Sequence, residues 1–530
     1  MEGGLKNQRA VIVGGGHNGL TAACYLAGAG LEVTVLERLD HTGGAAVSKE
    51  VFPGIDVRLS RYAYLVSLLP KKIIEDLGLS LELISRPVSS YTPNTSDGGQ
   101  SGLLVERPVG ANTYESFEQI TGDPKEADRW VELYSEIEQV AQVLAPTLLE
   151  PLQPKGQLRE MVIAKAGERI WQQMFEQPIG VTIKERLAHD LTRGVVATDA
   201  LIGTFADLAS PDLLANKCFL YHLVGNGTGE WLVPRGGMGA VTLALRNKAL
   251  QRGVKIKTGV EVTGVQSDGH LATITSSDGE FDADWALLNY STVDDFLATS
   301  KPSQPGAQMK VNMVLTSLPK LKSGVDPKVA FGGTFHMNES FDELESAYRA
   351  ADSGLLPTPA PFETYCHTLA DSSVLGPRAK EQGLETLTLF GLHTPYELFE
   401  TAPQAKNKLL EMYFDAFDSV CVGSFREHLA LDANGQACVE VASPVDLEED
   451  LRLPRGNIFQ GDLSWPWAEP ETPNGYQAEQ WGVETTERNV LICGSRAKRG
   501  GAVSGVGGHN AAHALLGQVP PQKKDQFDKR

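Results

Sequence analysis

The stretch VIVGGGHNGLTAACYLAGAGLEVTVLE, residues 11–37, decides the fold of this chain. A run of β-branched residues leads directly into glycines at the GxGxxG spacing, namely Gly14, Gly16 and Gly19, and an alanine-rich helical segment follows. A second apolar strand then ends on an acid, Glu37. This order of strand, glycine turn, helix, strand and terminal acid predicts a dinucleotide-binding βαβ unit.

Each glycine of the turn has a separate physical task. Gly14 permits the tight turn from strand to helix, Gly16 lets the backbone approach a pyrophosphate, and Gly19 allows the helix to pack closely on the strand. The helix N-terminus offers unpaired N–H groups and a partial positive charge to the phosphates. His17 and Asn18 lie inside this loop, where they either contact the cofactor or cap the helix.

The acid and a second glycine motif narrow the choice of cofactor. Glu37 is placed to accept hydrogen bonds from ribose hydroxyls and would repel a 2′-phosphate, which favours FAD or NAD over NADP. Far along the chain, VLICG at residues 490–494 precedes GGAVSGVGGHNAAHALL at residues 500–516. A nicotinamide-only dehydrogenase has no evident use for this second motif, whereas a protein that buries a whole FAD uses both. The sequence therefore predicts FAD.

Composition is that of a large globular enzyme. The chain has 530 residues, of which 42% are hydrophobic and 22% charged, which suggests three to four domain-sized units. Its net charge of -20 argues against nucleic acid and against electrostatic docking on anionic lipid. The sequence shows neither a signal-peptide core nor an apolar run long enough to span a bilayer, so we expect a cytoplasmic protein. Peripheral membrane contact and homo-oligomerisation stay open.

The pattern along the chain predicts an α/β fold in which a doubly wound, Rossmann-like FAD-binding domain is split by an inserted α+β substrate domain. Helical spacing dominates the first insertion, and a mixed sheet is expected in the second. Residues 1–90, 230–300 and 441–518 are assigned to the FAD-binding domain, residues 91–229 and 301–440 to the substrate domain, and residues 519–530 to a polar tail. The glycine turn PRGGMGA, residues 234–240, is interpreted as a packing turn of the FAD domain.

Cysteine and histidine spacing supports no metal or dithiol chemistry. The six cysteines form no CxxC pair. His509 and His513 stand four apart on the last helix, but their place in the second glycine motif argues against a metal site, and we predict none. Two groups of aromatic residues allow two interpretations each. Tyr62, Tyr64 and Tyr91 either line a substrate tunnel or pack in the core. Trp465 and Trp467 either cover the flavin or anchor a loop by packing.

Several segments of the chain resemble the phytoene desaturase-like FAD oxidoreductases. They are the N-terminal run that begins at Val11, RYAYLVSLL, HTPYELF, DLEEDLRLPRGNIFQGDLS and LICGSRAKRGGAVSGVGGHNAA. The similarity is strongest to the branch that contains pyridine nucleotide-disulfide oxidoreductase domain-containing protein 2. It covers most of the chain and is thinnest between residues 96 and 228. Two positions depart from the family pattern: Ala45 replaces an arginine after the glycine pair, and Gln460 replaces a histidine. The carotenoid chemistry of those enzymes is therefore not carried over.

The resemblance also implies further cofactor residues. Gly43 and Gly44 match a glycine pair near the flavin, and Val262 falls where the backbone reads the adenine. The last motif would aim a helix N-terminus at the pyrimidine side of the flavin, which favours the anionic reduced form. Its matching residues are Gly494, Gly501, Gly507 and Gly508.

These observations predict an FAD-dependent oxidoreductase, a dehydrogenase or desaturase that moves hydride from a small apolar organic substrate to flavin N5. Oxygen, a quinone or another acceptor would reoxidise the flavin. No catalytic side chain is assigned, because direct hydride transfer needs no dedicated acid or base. Two alternatives remain: an amine-oxidase-like flavoenzyme, which an aromatic cage facing the flavin would favour, and a non-catalytic regulator built on the same fold.

Overall fold

The computed structural model describes residues 8–290, 304–469 and 476–517. The predicted polar tail, residues 519–530, lies outside the described residues. A five-stranded parallel sheet with the order β10-β2-β1-β14-β21 forms the centre of the predicted FAD-binding domain. Its strands are β1 (Arg9–Val13), β2 (Glu32–Glu37), β10 (Lys255–Thr258), β14 (Trp285–Leu288) and β21 (Val490–Ile492).

The strand order places a ligand site at one edge of this sheet. β1 pairs with β2 on one side, Val13 opposite Leu36, and with β14 on the other, Val13 opposite Leu288. The connections therefore leave the carboxyl end of β1 and its neighbour in opposite directions, and a crevice opens between them. The loop with Gly14 and Gly16 leaves β1 at this point.

Helices with closely approaching backbones cover the parallel sheet. α1 (His17–Gly28) contacts α10 (Met238–Gln251) on one side and α18 (Val506–Gly517) on the other. A Cβ built on Gly508 would lie only 2.0 Å from the backbone oxygen of Asn18, so glycine is required where α18 meets α1. The shorter helices α2 and α17 lie near this layer; they span Lys71–Leu77 and Gln477–Trp481.

Several small strand units supplement the parallel sheet. β11 (Val262–Ser267), β12 (Ala272–Ser276) and β13 (Gly279–Ala283) form a three-stranded sheet. Ser276 pairs with Gly279, so the chain turns at Ser277 and Asp278 between β12 and β13. Three two-stranded pairs complete the minor strands: β3 (Ser48–Lys49) with β4 (Leu59–Ser60), β5 (Leu83–Ile84) with β9 (Val233–Pro234), and β8 (Gln153–Pro154) with β20 (Trp467–Ala468).

A seven-stranded mixed sheet with the order β19-β15-β18-β17-β16-β6-β7 forms the predicted second sheet. Only the β16–β6 pair is parallel within it. The strands are β6 (Val88–Pro93), β7 (Gly102–Glu106), β15 (Met309–Leu315), β16 (Thr334–Met337), β17 (Phe362–Tyr365), β18 (Glu385–Gly391) and β19 (Val439–Ala442). The predicted domain limits at residues 91 and 440 fall inside two strands of this sheet: β6, which lies next to the edge strand β7, and β19, which forms the other edge.

Side chains alternate along β15 between two environments, as they must on a pleated strand. Met309 and Val311 pack into the core beneath helix α15 (Ala405–Val420), together with Phe417 of that helix. Lys310, between them, points to the opposite face. The helices of this region are α11 (Pro327–Ala330), α12 (Phe341–Asp352), α13 (Pro377–Glu381), α14 (Tyr396–Thr401), α15 (Ala405–Val420) and α16 (Pro444–Leu451).

The first insertion is helical, as the spacing predicted. It contains α3 (Ala111–Thr121), α4 (Glu126–Thr147), α5 (Lys155–Ala166), α6 (Glu168–Phe175), α7 (Ile179–Arg186), α8 (Asp190–Thr198) and α9 (Leu214–Leu223). The helical region is interrupted between α8 and α9, where Pro211 lies two residues before Leu213, whose φ is 58°. No helix in the described ranges is both long enough and apolar enough to cross a membrane.

A candidate dinucleotide site and a second cavity

A cavity of about 440 Å³ lies at the carboxyl edge of the parallel sheet. Its walls include the loop after β1, the end of β2, the start of β11 and the residues after β14. Segments that are distant in sequence thus meet at the crevice that the strand order defines. Of the thirteen predicted cofactor residues, six line this cavity: Gly14, Gly16, His17, Glu37, Gly44 and Val262.

The glycine loop has the backbone geometry that the motif predicts. Gly14 has φ 99°, and its N–H donates to the backbone oxygen of Leu36 at 2.8 Å. A Cβ on Gly19 would lie 2.2 Å from the oxygen of Gly14, so helix and strand approach to a distance that only glycine allows. The side chain of Asn289 donates from Nδ2 to that same oxygen at 3.1 Å and closes the loop from the β14 side.

Asn289 is a site residue to which the sequence analysis gave no role. It lines the cavity, and a Cβ on Gly16 would lie 3.2 Å from its Nδ2 atom. A signal was available, because a lone asparagine directly follows the buried strand β14, at the sheet edge where ligands bind.

Glu37 ends β2 and is buried, with 7% of its surface exposed. Its Oε2 accepts a hydrogen bond from the N–H of Gly15 at 2.8 Å, and its Oε1 accepts one from the N–H of Leu39 at 2.8 Å. Each carboxylate oxygen has a second lone pair for a further donor. The acid therefore holds the glycine loop. From the same position in the cavity wall it can accept hydrogen bonds from ribose hydroxyls.

The polar groups of the loop fit a dinucleotide. His17 Nε2 is buried with no hydrogen-bond partner among the described residues, and His17 lines the cavity. Burial lowers the pKa of His17 to about 4, so its ring is neutral at physiological pH. Asn18 does not line the cavity; its Nδ2 donates to Ser495 Oγ at 3.4 Å and ties the loop to the second glycine motif. Because unpaired buried polar atoms are costly, a bound phosphate or ribose is the natural partner of His17.

The remaining predicted glycines lie in the backbone layer around the cavity. Gly43 has φ 128°, and its N–H donates to the oxygen of Gly15 at 2.9 Å. In the second motif, the residues that line the cavity are Ser495, Ala502 and Val503. The predicted ligands of this motif do not line it: Gly494, Gly501, Gly507 and Gly508. Gly507 packs on the backbone of Gly494 and Gly508 on that of Asn18, whereas Gly501 faces the side chains of Phe459 and Leu463. Direct contact of these glycines with the cofactor stays a prediction.

Lys310 is a buried cation in the cavity wall that the sequence analysis did not select. Its Nζ donates to the backbone oxygens of Ser60 and Tyr62, both at 2.7 Å, and lies 5.6 Å from the ring centre of Tyr64. Desolvation lowers the pKa of Lys310 to about 7. The only sequence signal was a lysine among apolar neighbours in a strand, which by itself does not identify a cavity.

The wall near Lys310 is largely apolar and aromatic. Gln308 also lies there, and its Oε1 has no hydrogen-bond partner among the described residues. The two departures from the family pattern, Ala45 and Gln460, both line this cavity. The apolar and aromatic members of this wall are Leu65, Ile202, Trp231, Phe390, Ile458 and Phe459.

The structure resolves the aromatic alternatives. Tyr62 and Tyr64 line the cavity, whereas Tyr91 is buried in the core of the seven-stranded sheet. Trp465 and Trp467 stack on each other at 5.0 Å within the helical core and do not line the cavity. They are packing residues.

The histidine pair packs among aromatic rings, and the cysteines are buried singly. His509 and His513 pack with their rings 4.1 Å apart beside Tyr25 and Trp481. No group of three or more metal-binding side chains occurs in the ranges that the structure describes. All six cysteines are buried and unpaired. No dithiol is therefore available for disulfide exchange.

A second cavity, of about 410 Å³, adjoins the first. Five residues line both: Tyr64, Leu65, Ile202, His222 and Trp231. The second cavity runs between the helical insertion and the seven-stranded sheet, and its lining includes Val109 and Val131, which are 38% and 36% exposed. It therefore reaches the surface between β7 and α4.

Ionisable side chains are concentrated in the second cavity. Its lining includes Arg86, Arg107, Asp199, His336 and Glu363. Burial raises the pKa of Glu363 to about 8 and the pKa of Asp199 to about 7. Such a set of perturbed groups in a cleft is typical of functional sites.

Comparison with known proteins agrees with this architecture. Residues 12–70 match the family model of the NAD(P)-binding Rossmann-like domain. The structure resembles cyclohexylamine oxidase from Brevibacterium oxydans with a TM-score of 0.55 and 14% identity, covering 97% of this chain and 99% of that one. This likeness shows the fold that the two chains share, and the Rossmann-like match agrees with the prediction of a dinucleotide cofactor such as FAD.

Two full-length relatives define the family. An uncharacterized protein of Mycobacterium tuberculosis is 45% identical over 97% of this chain and 98% of its own length. Mouse pyridine nucleotide-disulfide oxidoreductase domain-containing protein 2 is 30% identical over 96% of this chain and 93% of its own length. The chain belongs to the family of that mouse protein.

Proposed function

We propose that the protein is an FAD-dependent dehydrogenase or desaturase that oxidises a small, largely apolar organic substrate. When bound, FAD would supply the hydride acceptor and the route by which electrons reach a second acceptor. Oxygen or a quinone is the acceptor we propose. The observation that carries this proposal is the apolar wall of the cofactor cavity, which adjoins a separate cavity with its own opening.

The chain's own residues would orient the substrate and exclude water. Leu65, Ile202 and Phe390 give the shared region an apolar surface. Trp231 and His222 stack at 5.2 Å where the two cavities meet, and Trp231 Nε1 donates to the backbone oxygen of His222 at 3.1 Å. A fixed apolar neck of this kind holds a hydrocarbon segment in place and keeps solvent from the reacting bond.

Lys310 is the titratable group of this wall that is best placed to exchange a proton. Desolvation brings its pKa to about 7, close to the range in which a general acid or base is most effective. If the substrate loses a proton together with the hydride, Lys310 in its neutral form can accept it. If the substrate loses only a hydride, Lys310 has a purely structural role, in which it donates hydrogen bonds to the backbone oxygens of Ser60 and Tyr62.

An amine-oxidase-like activity is the second candidate, and the aromatic part of the wall favours it. Tyr64 and Phe390 lie 5.1 Å apart, and Trp231 lines the same space. Aromatic faces attract amines and ammonium groups. The rings of Tyr64 and Phe390 are inclined by 49°, however, so they do not form a parallel pair.

Purification followed by an absorbance spectrum tests the first part of the proposal. We expect a yellow protein whose FAD is released on denaturation. Anaerobic mixing with hydrocarbons, isoprenoids, fatty acids and amines then identifies the class that bleaches the flavin. A colourless protein that FAD does not reconstitute would refute the proposal, and bleaching by amines alone would select the second candidate.

A further inference from the structure

Arg86 is the most unusual charged residue in the second cavity. It lies between β5 and β6 and is 6% exposed. Its Nε has no hydrogen-bond partner, and no carboxylate lies within ion-pair distance of its guanidinium in the described part of the chain. Its guanidinium lies 5.6 Å from the ring centre of Tyr365, in a cation–π contact. A buried guanidinium with open donors is costly unless a ligand supplies the acceptor.

The other arginine of the cavity provides a contrast. Arg107 makes an ion pair with Glu230 at 2.9 Å and donates to Ser89 Oγ at 3.0 Å. Its charge is compensated by the protein, whereas that of Arg86 is not.

Glu363, the acid whose charge acts on Arg86, is largely protonated at neutral pH and so does not supply the missing negative charge. Desolvation raises the pKa of Glu363 to about 8, and the neighbouring Glu339 adds to this. Burial raises the pKa of Asp199 to about 7. The pKa of Glu339 is also raised well above its usual value by burial, and its Oε2 is 2.6 Å from His336 Nδ1. A protonated acid such as Glu363 donates a hydrogen bond, so it complements an incoming carboxylate.

We propose that the second cavity is the substrate chamber and that Arg86 binds a carboxylate of the substrate there. The substrate class is a monocarboxylic acid with an apolar body, which extends past Tyr64 and Trp231 into the apolar part of the cofactor cavity. Guanidinium and carboxylate match in planar geometry and charge, which makes arginine the usual residue for this recognition. The inference deepens the proposed function and rests on it for the identity of the reaction.

Three ligands with the same chain and different head groups test the proposal on the FAD-loaded protein by isothermal titration calorimetry: decanoate, decanol and decylamine. We expect the wild type to bind decanoate most tightly. Arg86→Gln should weaken decanoate binding by about tenfold or more, the usual effect of losing a charged hydrogen-bond pair, and should leave decanol binding unchanged. Arg86→Lys keeps the charge but loses the planar guanidinium. Its affinity for decanoate should lie between that of the wild type and that of Arg86→Gln.

Arg426→Gln is the matched control, because Arg426 makes surface ion pairs with Glu411 and Asp415. It should bind decanoate like the wild type. FAD content and the unfolding midpoint are measured for every variant, so a variant that fails to fold is recognised. The preference of the wild type for decanoate over decylamine tests the proposal without any variant.

Equal decanoate affinity in wild type and Arg86→Gln, tighter binding of decylamine than of decanoate, or no binding of any of the three would each overturn the carboxylate assignment. None of these results concerns flavin reduction. Conversely, a protein that binds decanoate through Arg86 but carries no FAD would refute the proposed function and keep the carboxylate site.

Discussion

The Oε2 atom of Glu37 lies 2.8 Å from the backbone nitrogen of Gly15, so the acid at the end of the second strand holds the glycine loop after the first. Sequence motifs present these two features as separate contacts with the cofactor. In the structure they are one unit, since the carboxylate also accepts from Leu39 at 2.8 Å. A change at Glu37 therefore acts both on the ribose and on the loop that holds the pyrophosphate.

Glu37→Ala removes the acceptor for Gly15 and Leu39 as well as for ribose hydroxyls. We expect FAD binding to weaken by about 1–3 kcal/mol, which is the usual effect of leaving such donors unpaired. Fluorescence titration of the apoprotein with FAD measures this directly. Cys24→Ser is the control, because Cys24 is buried in α1 and does not line the cavity, and Glu37→Ala binding FAD as tightly as that control would contradict the assignment.

Gly19→Ala should disrupt the phosphate loop. The added Cβ would meet the Gly14 oxygen at 2.2 Å and Asn289 Nδ2 at 2.9 Å, and overpacking of this kind costs about 1–3 kcal/mol. We expect a lower denaturation midpoint and partial loss of FAD. Gly156→Ala is the matched control in helix α5, where a Cβ would meet nothing within 4 Å. Equal stability of the two variants would show that the close approach at Gly19 is not a constraint.

Lys310→Met should change how stability depends on pH. The pKa of Lys310 is lowered from 10.5 to about 7, so between these values the unfolded chain binds a proton that the folded chain does not. Stability from this group therefore rises with pH across that window, by at most about 1.4 kcal/mol per pH unit. Denaturant unfolding at several pH values between 7 and 10 measures this effect. The free energy of unfolding of the wild type minus that of Lys310→Met should increase with pH. A constant difference would mean that Lys310 is not desolvated.

NADH and NADPH should reduce the flavin slowly or not at all. The candidate second dinucleotide turn at residues 234–240 has its helix N-terminus occupied: the N–H of Met238 donates to Ser60 Oγ at 3.0 Å and the N–H of Gly239 to Ser48 Oγ at 2.9 Å. Phosphate therefore finds no open donors at these two positions. Anaerobic stopped-flow absorbance measures the bleaching, and rapid reduction by NADH would make the protein a pyridine-nucleotide oxidase or reductase.

Val131→Trp should slow ligand entry, because Val131 is exposed on α4 and lines the second cavity where it reaches the surface. We expect a several-fold lower association rate for decanoate, followed by stopped-flow as a change in flavin absorbance, with FAD content unaffected. Val181→Trp is the matched control: Val181 is 39% exposed on helix α7 and does not line either cavity. Identical rates in the two variants would place the entrance elsewhere.

The cofactor half was predictable because its signals are local. Gly14, Gly16, Gly19 and Glu37 belong to one short βαβ unit whose spacing encodes its geometry. The functional role of Asn289 was not recognised, although its position after a buried strand marks the same sheet edge. Such positions become informative only once the strand order is known.

The substrate half was not predictable in the same way. Arg86, Asp199 and Glu363 come from three distant segments, and none has a neighbour in sequence that indicates a shared cavity. The role of Lys310 is recognisable only once it is known that one face of β15 packs in the core and the other lines the cavity. The sequence favoured an apolar substrate, and the structure adds the uncompensated charge of Arg86, which depends on three-dimensional proximity alone.

The backbone contact between Asn18 and Gly508 has a consequence for biosynthesis. The phosphate loop leaves the ribosome first, but the helix that packs against it and the edge strand β21 are made only after both insertions have been synthesised. Contacts so distant in sequence form late, because the intervening chain must be ordered before they are gained. We expect the nascent chain to be unable to retain FAD until α18 has docked on α1.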